Sequence, residues 1–245
     1  MPEKKCLNCN YDIENNFCSH CGQKTSTHQF SWKYFLINDF IYGAFKLEKG
    51  FFFTIKELFT RPGHSIREYV KGKRVHHFNY FSLLLVILAI NHFIGNYSSV
   101  RAVDLYGADE VTGYLKISRD YNAIIKILYI PFWSVVTFLF FRKSKQKYIE
   151  NIVMNMYMMC GLLTIYLLFS LLTVFYANVE GLKTIKSFIP LFTLLYFTYF
   201  LYQYFSVFQY NKFLLLFRIL LVALILMFIQ SSVIKTINEI GELFF

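Results

Sequence analysis

The sequence predicts an all-α polytopic membrane protein of about five transmembrane helices, preceded by a small four-cysteine ribbon and amphipathic interfacial helices. Three observations predict it. Hydrophobic types make up 56% of the 245 residues and charged types 16%, against roughly 45–50% and ~25% in soluble domains. The apolar residues are blocked together: Arg74 and Arg101 enclose 26 uncharged residues, Glu150 and Glu180 enclose 29, and Lys186 and Lys212 enclose 25. About 20 apolar residues, rising ~1.5 Å each, cross a bilayer, so each block holds one span. Finally, four of the five cysteines fall within the first 21 residues. The chain therefore divides into a ribbon over 1–27, a second region of amphipathic helices and a basic collar over 28–77, and a helical bundle over 78–245.

The ribbon comes first. Cys6-Leu7-Asn8-Cys9 is followed, after eight residues, by Cys18-Ser19-His20-Cys21. Two CxxC pairs at this separation read as a tetrahedral site in which Cys6, Cys9, Cys18 and Cys21 hold a structural Zn2+. The residue after each second cysteine needs a left-handed conformation, which Gly22 adopts freely and Asn10 tolerates. The spacer offers Tyr11, Ile13 and Phe17 but no room for a core, so metal binding would supply the folding energy. Iron uses similar knuckles and stays open as the metal; disulfides would need an oxidising compartment. With four thiolates closing the shell, His20 and His28 read as bystanders, and no open position is left for metal catalysis. Few basic residues (Lys4, Lys5, Lys24) flank the ribbon, and Asp12 and Glu14 sit within it. That balance argues against nucleic acid and for a docked protein or a structural cap.

The second region begins with Ser31–Leu47, in which Trp32, Leu36, Phe40 and Phe45 fall broadly on one face. Gly50–Thr60 follows, again apolar, with Lys56 and Glu57 together. Neither is long enough, uncharged, to span. Both suit helices lying in the membrane interface, or packing on the ends of the bundle. Pro62 starts a further helix, Ser65 and Glu68 have capping-box spacing, and Gly72 can end it. Arg61, Arg67, Lys71, Lys73 and Arg74 form a basic collar. It reads as a topology signal in contact with anionic membrane lipids, the sharper alternative being a specific phosphate or headgroup site.

Spans are expected at roughly 78–96, 122–141, 152–177, 185–208 and 213–234. Lys126 and Arg218 lie near enough to helix ends to snorkel, and neighbouring helices tolerate Pro131. Residues 1–11 contain no apolar signal-peptide core, so the first span is expected to act as the insertion signal. Five spans place the amino-terminal region, the Arg142–Glu150 loop and Lys212 on one side with 17 Lys and Arg, against six opposite. Positive-inside bias then makes the N-terminus cytoplasmic and the C-terminus periplasmic.

Inside the fourth span, Thr193, Tyr196, Tyr199, Gln203, Ser206 and Tyr210 recur at helical spacing and should point into the bundle. The plain reading is interhelical hydrogen bonding; the alternative is a polar cavity for a small molecule or lipid. Asn151 and Asn155, and Asn91, His92 and Asn96, pose the same choice. Met154, Met156, Met158, Met159 and Cys160 point around their helix and read as packing filler rather than a copper site. No Asp or Glu lies within a span, and no nucleophile–base pair or HExxH occurs.

The order FCSHCGQK, an aromatic segment, KGFFFTIKELFTRPG, IREYVKGKR and a hydrophobic tail resembles an uncharacterised family of bacterial membrane proteins. The likeness covers the first ~95 residues best. It implies zinc and residence in the bacterial inner (cytoplasmic) membrane, and no activity. A weaker likeness, at the level of fold, is to Yip-domain proteins with five spans. The expectation is a non-enzymatic scaffold or adaptor whose ribbon docks a protein partner, the runner-up being a transporter of small molecules or lipids.

Overall fold

The computed structural model describes residues 5–13, 15–27, 32, 50–100, 104–105 and 108–244, with side chains at all of these except 108–116, 118–120, 122, 242 and 244. The amphipathic segment expected over Ser31–Leu47 lies outside the described residues apart from Trp32. So do Lys4, Glu14, His28 and Arg101, and the side chains of Lys116 and Arg119. Among the described residues the chain is helical: α1 Phe51–Thr60, α2 Pro62–Val70, α3 Tyr80–Gly95, α4 Ala108–Phe140, α5 Tyr148–Phe175, α6 Val179–Ser187, α7 Ile189–Phe205 and α8 Lys212–Phe244.

Four stretches are long and apolar enough to cross a membrane: Ala123–Phe140, Tyr148–Phe175, Val179–Phe205, which joins α6 to α7, and Lys212–Gly241. They coincide with the last four expected spans. The first expected span forms α3, an apolar helix of 16 residues. At ~1.5 Å per residue it is about 24 Å long, short of a ~30 Å hydrocarbon core. Asn79 caps its start, accepting from the N–H of Phe81 and Ser82 at 2.8 and 3.3 Å.

Helix α3 runs parallel to α5. Tyr157 Oη donates to the Phe78 carbonyl at 2.7 Å, Asn91 Nδ2 to Leu163 O at 3.3 Å, and Ser99 N to Thr173 O at 3.0 Å. The contacts climb both helices in the same direction. Helix α4 packs on α5 and, over a long seam, on α8. Asn155 bridges the α4–α5 interface, its Nδ2 donating to Thr137 Oγ1 at 2.9 Å and Ser134 Oγ at 3.3 Å. Met154, Met156, Met158, Met159 and Cys160 are all buried in the common core. They fill space, as flexible side chains do between irregular neighbours.

The α1–α2 pair completes the bundle. Pro62 sits at the first helical position of α2, where its missing N–H costs nothing. The capping box expected of Ser65 and Glu68 is absent because the helix starts three residues earlier. Ser65 is instead buried inside α2, 2.8 Å from His77 Nε2. Helix α2 packs on both α5 and α7. Its approach to α7 is backbone to backbone at Gly63, where a Cβ would overlap Tyr204 N and sit 2.5 Å from Phe200 O and 2.6 Å from Gln203 C. Arg67 then reaches the end of α7, its Nη1 donating to the carbonyls of Gln203 and Tyr204 at 2.7 and 2.9 Å. Those carbonyls lack helical partners at a C-terminus, and a cation there also opposes the helix dipole. We predict that Gly63→Ala lowers stability by about 1–3 kcal/mol through backbone overlap. Arg67→Met should cost about 2 kcal/mol through two lost charge-assisted bonds. Thermal unfolding of the full chain in detergent measures both.

Candidate metal centre and its seat on the bundle

The ribbon is two copies of one turn. Cys6 N donates to Tyr11 O at 2.9 Å and Asn10 N to Cys6 O at 2.9 Å; Cys18 N donates to Gln23 O at 2.9 Å and Gly22 N to Cys18 O at 2.8 Å. Asn10 and Gly22 both take the left-handed backbone, with φ of 60° and 74°. Each turn is closed by one antiparallel bridge, Lys5 to Asp12 and Phe17 to Lys24. The four sulfurs lie within 4.8 Å of one another. Cys6 and Cys21 are 3.6 Å apart, as are Cys9 and Cys18. A tetrahedron of ~2.3 Å metal–sulfur bonds has edges of about 3.8 Å, so the residues fit a metal ion, and all are free thiols.

The thiols compete for protons. Backbone N–H groups of Cys21 and His20 draw Cys18 down to about 7. The Tyr11 N–H pulls on Cys9 too, but burial and the sulfurs of Cys21, Cys18 and Cys6 leave it raised to about 12. A bound cation relieves that crowding by taking all four as thiolates. His20 stays outside the cluster and stacks on Tyr11, centroids 5.5 Å apart.

One glutamine and one leucine seat the ribbon on the bundle. Helix α2 ends in a Schellman turn: Gly72 N donates to Tyr69 O at 2.9 Å and Lys73 N to Glu68 O at 3.0 Å. Gly72 has φ +106°, and a Cβ there would meet Leu7 Cδ1 at 2.7 Å. The Gln23 side chain clamps this turn, Nε2 donating to Gly72 O at 3.0 Å and Oε1 accepting from Arg74 N at 3.1 Å. Gln23 is 6% exposed, whereas Tyr11 and Phe17 on the ribbon are 53% and 58% exposed.

The basic collar is divided among several environments. Lys71 and Lys73 are exposed. Arg61 pairs with Glu57 at 3.7 Å and Glu68 at 3.8 Å. Arg67 caps α7 and also meets His64 Nδ1 at 2.8 Å. Arg74 is half-buried over the Tyr69 ring at 5.1 Å. The polar face of the fourth span divides as well. Thr193 and Tyr196 are buried, Tyr199 is 42% exposed and donates to Thr60 O at 2.7 Å, and Ser206 is exposed. Gln203 is half-buried, and it is its backbone carbonyl that serves Arg67. The lower half of this face thus meets α1 and α2 rather than another span. Beside it, between α5 and α7, lies a groove of about 560 Å³ lined by Phe59, Ile165, Leu168, Phe192, Tyr196 and Tyr199 among others. It is apolar, whereas the cavity that stands as the alternative to interhelical hydrogen bonding is a polar one.

Sequence reasoning missed Gln23, Gly63 and His77, whose partners are remote along the chain. It also found no nucleophile–base pair, yet Ser65 and His77 come within hydrogen-bond distance. They are 1% and 7% exposed, walled by Phe53 and Tyr69, so no substrate reaches the Ser65 hydroxyl as it stands. The pair ties α2 to the start of α3.

The fold and site define a class: a helical membrane protein carrying a four-cysteine cluster that could hold a metal ion. Residues 48–91, covering α1, α2 and most of α3, match a family model described as a protein of unknown function (DUF3667). This agrees with the resemblance to an uncharacterised family. No curated protein and no solved structure matches the chain.

Two outcomes are expected. Chelation should melt the ribbon, seen as protease sensitivity within residues 5–27, while the bundle stays folded; Cys6→Ser should do the same and abolish metal retention in elemental analysis. Burial, then the charges of His76 and Arg61, holds His77 down to about 4, against ~6.5 in an unfolded chain. Between those values the unfolded chain binds the extra proton. The stability contributed is therefore intact above about pH 6.5 and lost as pH falls towards 4, by about 3 kcal/mol. His77→Gln should flatten this part of the pH–stability profile.

Proposed function

We propose that the protein is a non-enzymatic scaffold of the bacterial inner membrane whose zinc-loaded ribbon docks a protein partner at the cytoplasmic surface. The observation that carries this is the ribbon's two-sidedness. Leu7 and Gln23 are committed to the Gly72 turn, while Tyr11 and Phe17 face outward. Aromatic residues on a rigid, metal-clamped module are the kind of anchor that dominates protein interfaces. Zinc is the natural occupant of four closed thiolates, with iron the alternative that elemental analysis separates. Anionic lipid would meet the exposed Lys71 and Lys73 beside it.

The topology we infer has five crossings, α3 being the short one. Its support is the parallel run of α3 and α5 with α4 packed against α5, and the gathering of the basic segments at one end. There Phe141 stacks on Phe205 at 3.8 Å, Gln146 Nε2 donates to Tyr204 Oη at 2.6 Å, and Arg67 meets the same turn. Positive-inside bias puts that end in the cytoplasm and the C-terminus in the periplasm.

A partner held by the wild-type protein in mild detergent should be lost from both Cys6→Ser/Cys9→Ser and Tyr11→Ser/Phe17→Ser, the second retaining its metal. Retention by both variants would sink the docking role and leave the ribbon as a cap. A membrane-impermeant thiol reagent applied to intact cells should leave Cys9 and Cys21 unlabelled.

A further inference from the structure

We propose that Lys126 is a binding site for an anionic lipid headgroup, taken at the end of the bundle remote from the ribbon. The residue lies in an apolar, membrane-crossing stretch of α4. Its ammonium sits 5.8 Å from the Tyr129 ring centroid and 5.5 Å from that of Tyr166. Those two rings are its only partners: among the described residues it makes no hydrogen bond and no ion pair. A lysine ammonium carries three N–H donors, and a charge in hydrocarbon is retained only when it is paired or serves a pathway or ligand. Among the described residues no carboxylate pairs with it, and the stretch Ala123–Phe140 contains no Asp or Glu.

The cage is built from separate helices and held in place. Tyr166 is on α5, and its hydroxyl accepts from Gln230 Nε2 of α8 at 3.1 Å. Gln230 is 8% exposed. Aromatic faces steady a cation without neutralising it, so the site has a positive charge fixed in position and donors unspent. Lys126 precedes the end of α4 at Phe140 by 14 residues, about 21 Å along the axis. In a ~30 Å hydrocarbon core that leaves it within the last third, near enough to the interface for a lipid phosphate to approach the half-buried side chain. The chemistry required is a phosphate anion, and the lipid phosphodiester is the source at that depth. This inference is independent of the docking role of the ribbon.

The test uses the full chain in detergent, with thermal stability read against added short-chain phosphatidylglycerol, phosphatidylcholine or inorganic phosphate. Phosphatidylglycerol should stabilise the wild type most. Lys126→Gln should need about tenfold more of it for the same shift, the scale of a lost charge-assisted contact, and Lys126→Arg should retain most of the effect. An unchanged phosphatidylglycerol response in Lys126→Gln would overturn the proposal. A full response to inorganic phosphate alone would overturn the assignment to lipid and make the ligand a soluble anion. Should Lys126→Gln fail to fold, a phosphatidylglycerol bearing a photoreactive headgroup decides on the wild type. Crosslinks within residues 121–130 support the site, and crosslinks confined to 61–74 overturn it.

Discussion

The ribbon end of the molecule depends on one interaction, the docking of α2 against the last turn of α7. Two features make it possible. Gly63 lets the two backbones touch, and the Arg67 guanidinium then lies close enough to satisfy the Gln203 and Tyr204 carbonyls. Carbonyls left open at a buried helix end are costly, so the arginine and the glycine support each other. Everything further out is built on α2. Its Schellman turn presents the Gly72 carbonyl and the Arg74 N–H to Gln23, and Gln23 belongs to the second cysteine knuckle. An unbroken series of contacts therefore joins the four-cysteine cluster to a helix long and apolar enough to cross a membrane.

The same docking shapes the middle of the bundle. Helix α2 packs on both α5 and α7, and the α1–α2 corner ends at Phe59, Thr60 and Tyr199. Beyond that corner the space between α5 and α7 is the apolar groove. Tyr69 carries α2 into the core through edge-to-face contacts with Tyr157 and Tyr80, centroids 5.1 and 6.2 Å apart. Ser65 and His77 close the unit on the other side. Burial keeps His77 neutral, as suits a hydrogen-bond partner of a hydroxyl in a dry site.

Buried polar groups in the spans fall into two kinds. Asn155, Tyr157 and Asn91 spend their donors on neighbouring helices, which is how a bilayer protein holds its helices in register. Lys126 does not; among the described residues its ammonium meets only ring faces. That contrast distinguishes a residue that builds the bundle from one left to meet something outside it.

The sequence by itself determined the elements whose signal is local. Four cysteines at ligand spacing, with Asn10 and Gly22 at the turns, specify their cluster within 16 residues. Long uncharged blocks specify α3, α5 and α7, and apolar stretches with one basic residue near an end specify α4 and α8, because hydrocarbon tolerates little else. Pro62 and Gly72 mark the ends of α2 for equally local reasons. Tertiary structure decided what depends on partners far along the chain. Arg67 reads as a collar cation until residues 136 and 137 positions away supply carbonyls. Gln23 has no distinguishing neighbour in sequence, since its partners lie 49 and 51 residues on. The α7 polar face could be read from its period, but what covers it could not. Periodicity assigns residues to a face of one helix; only packing assigns that face to α2, to α5 or to lipid.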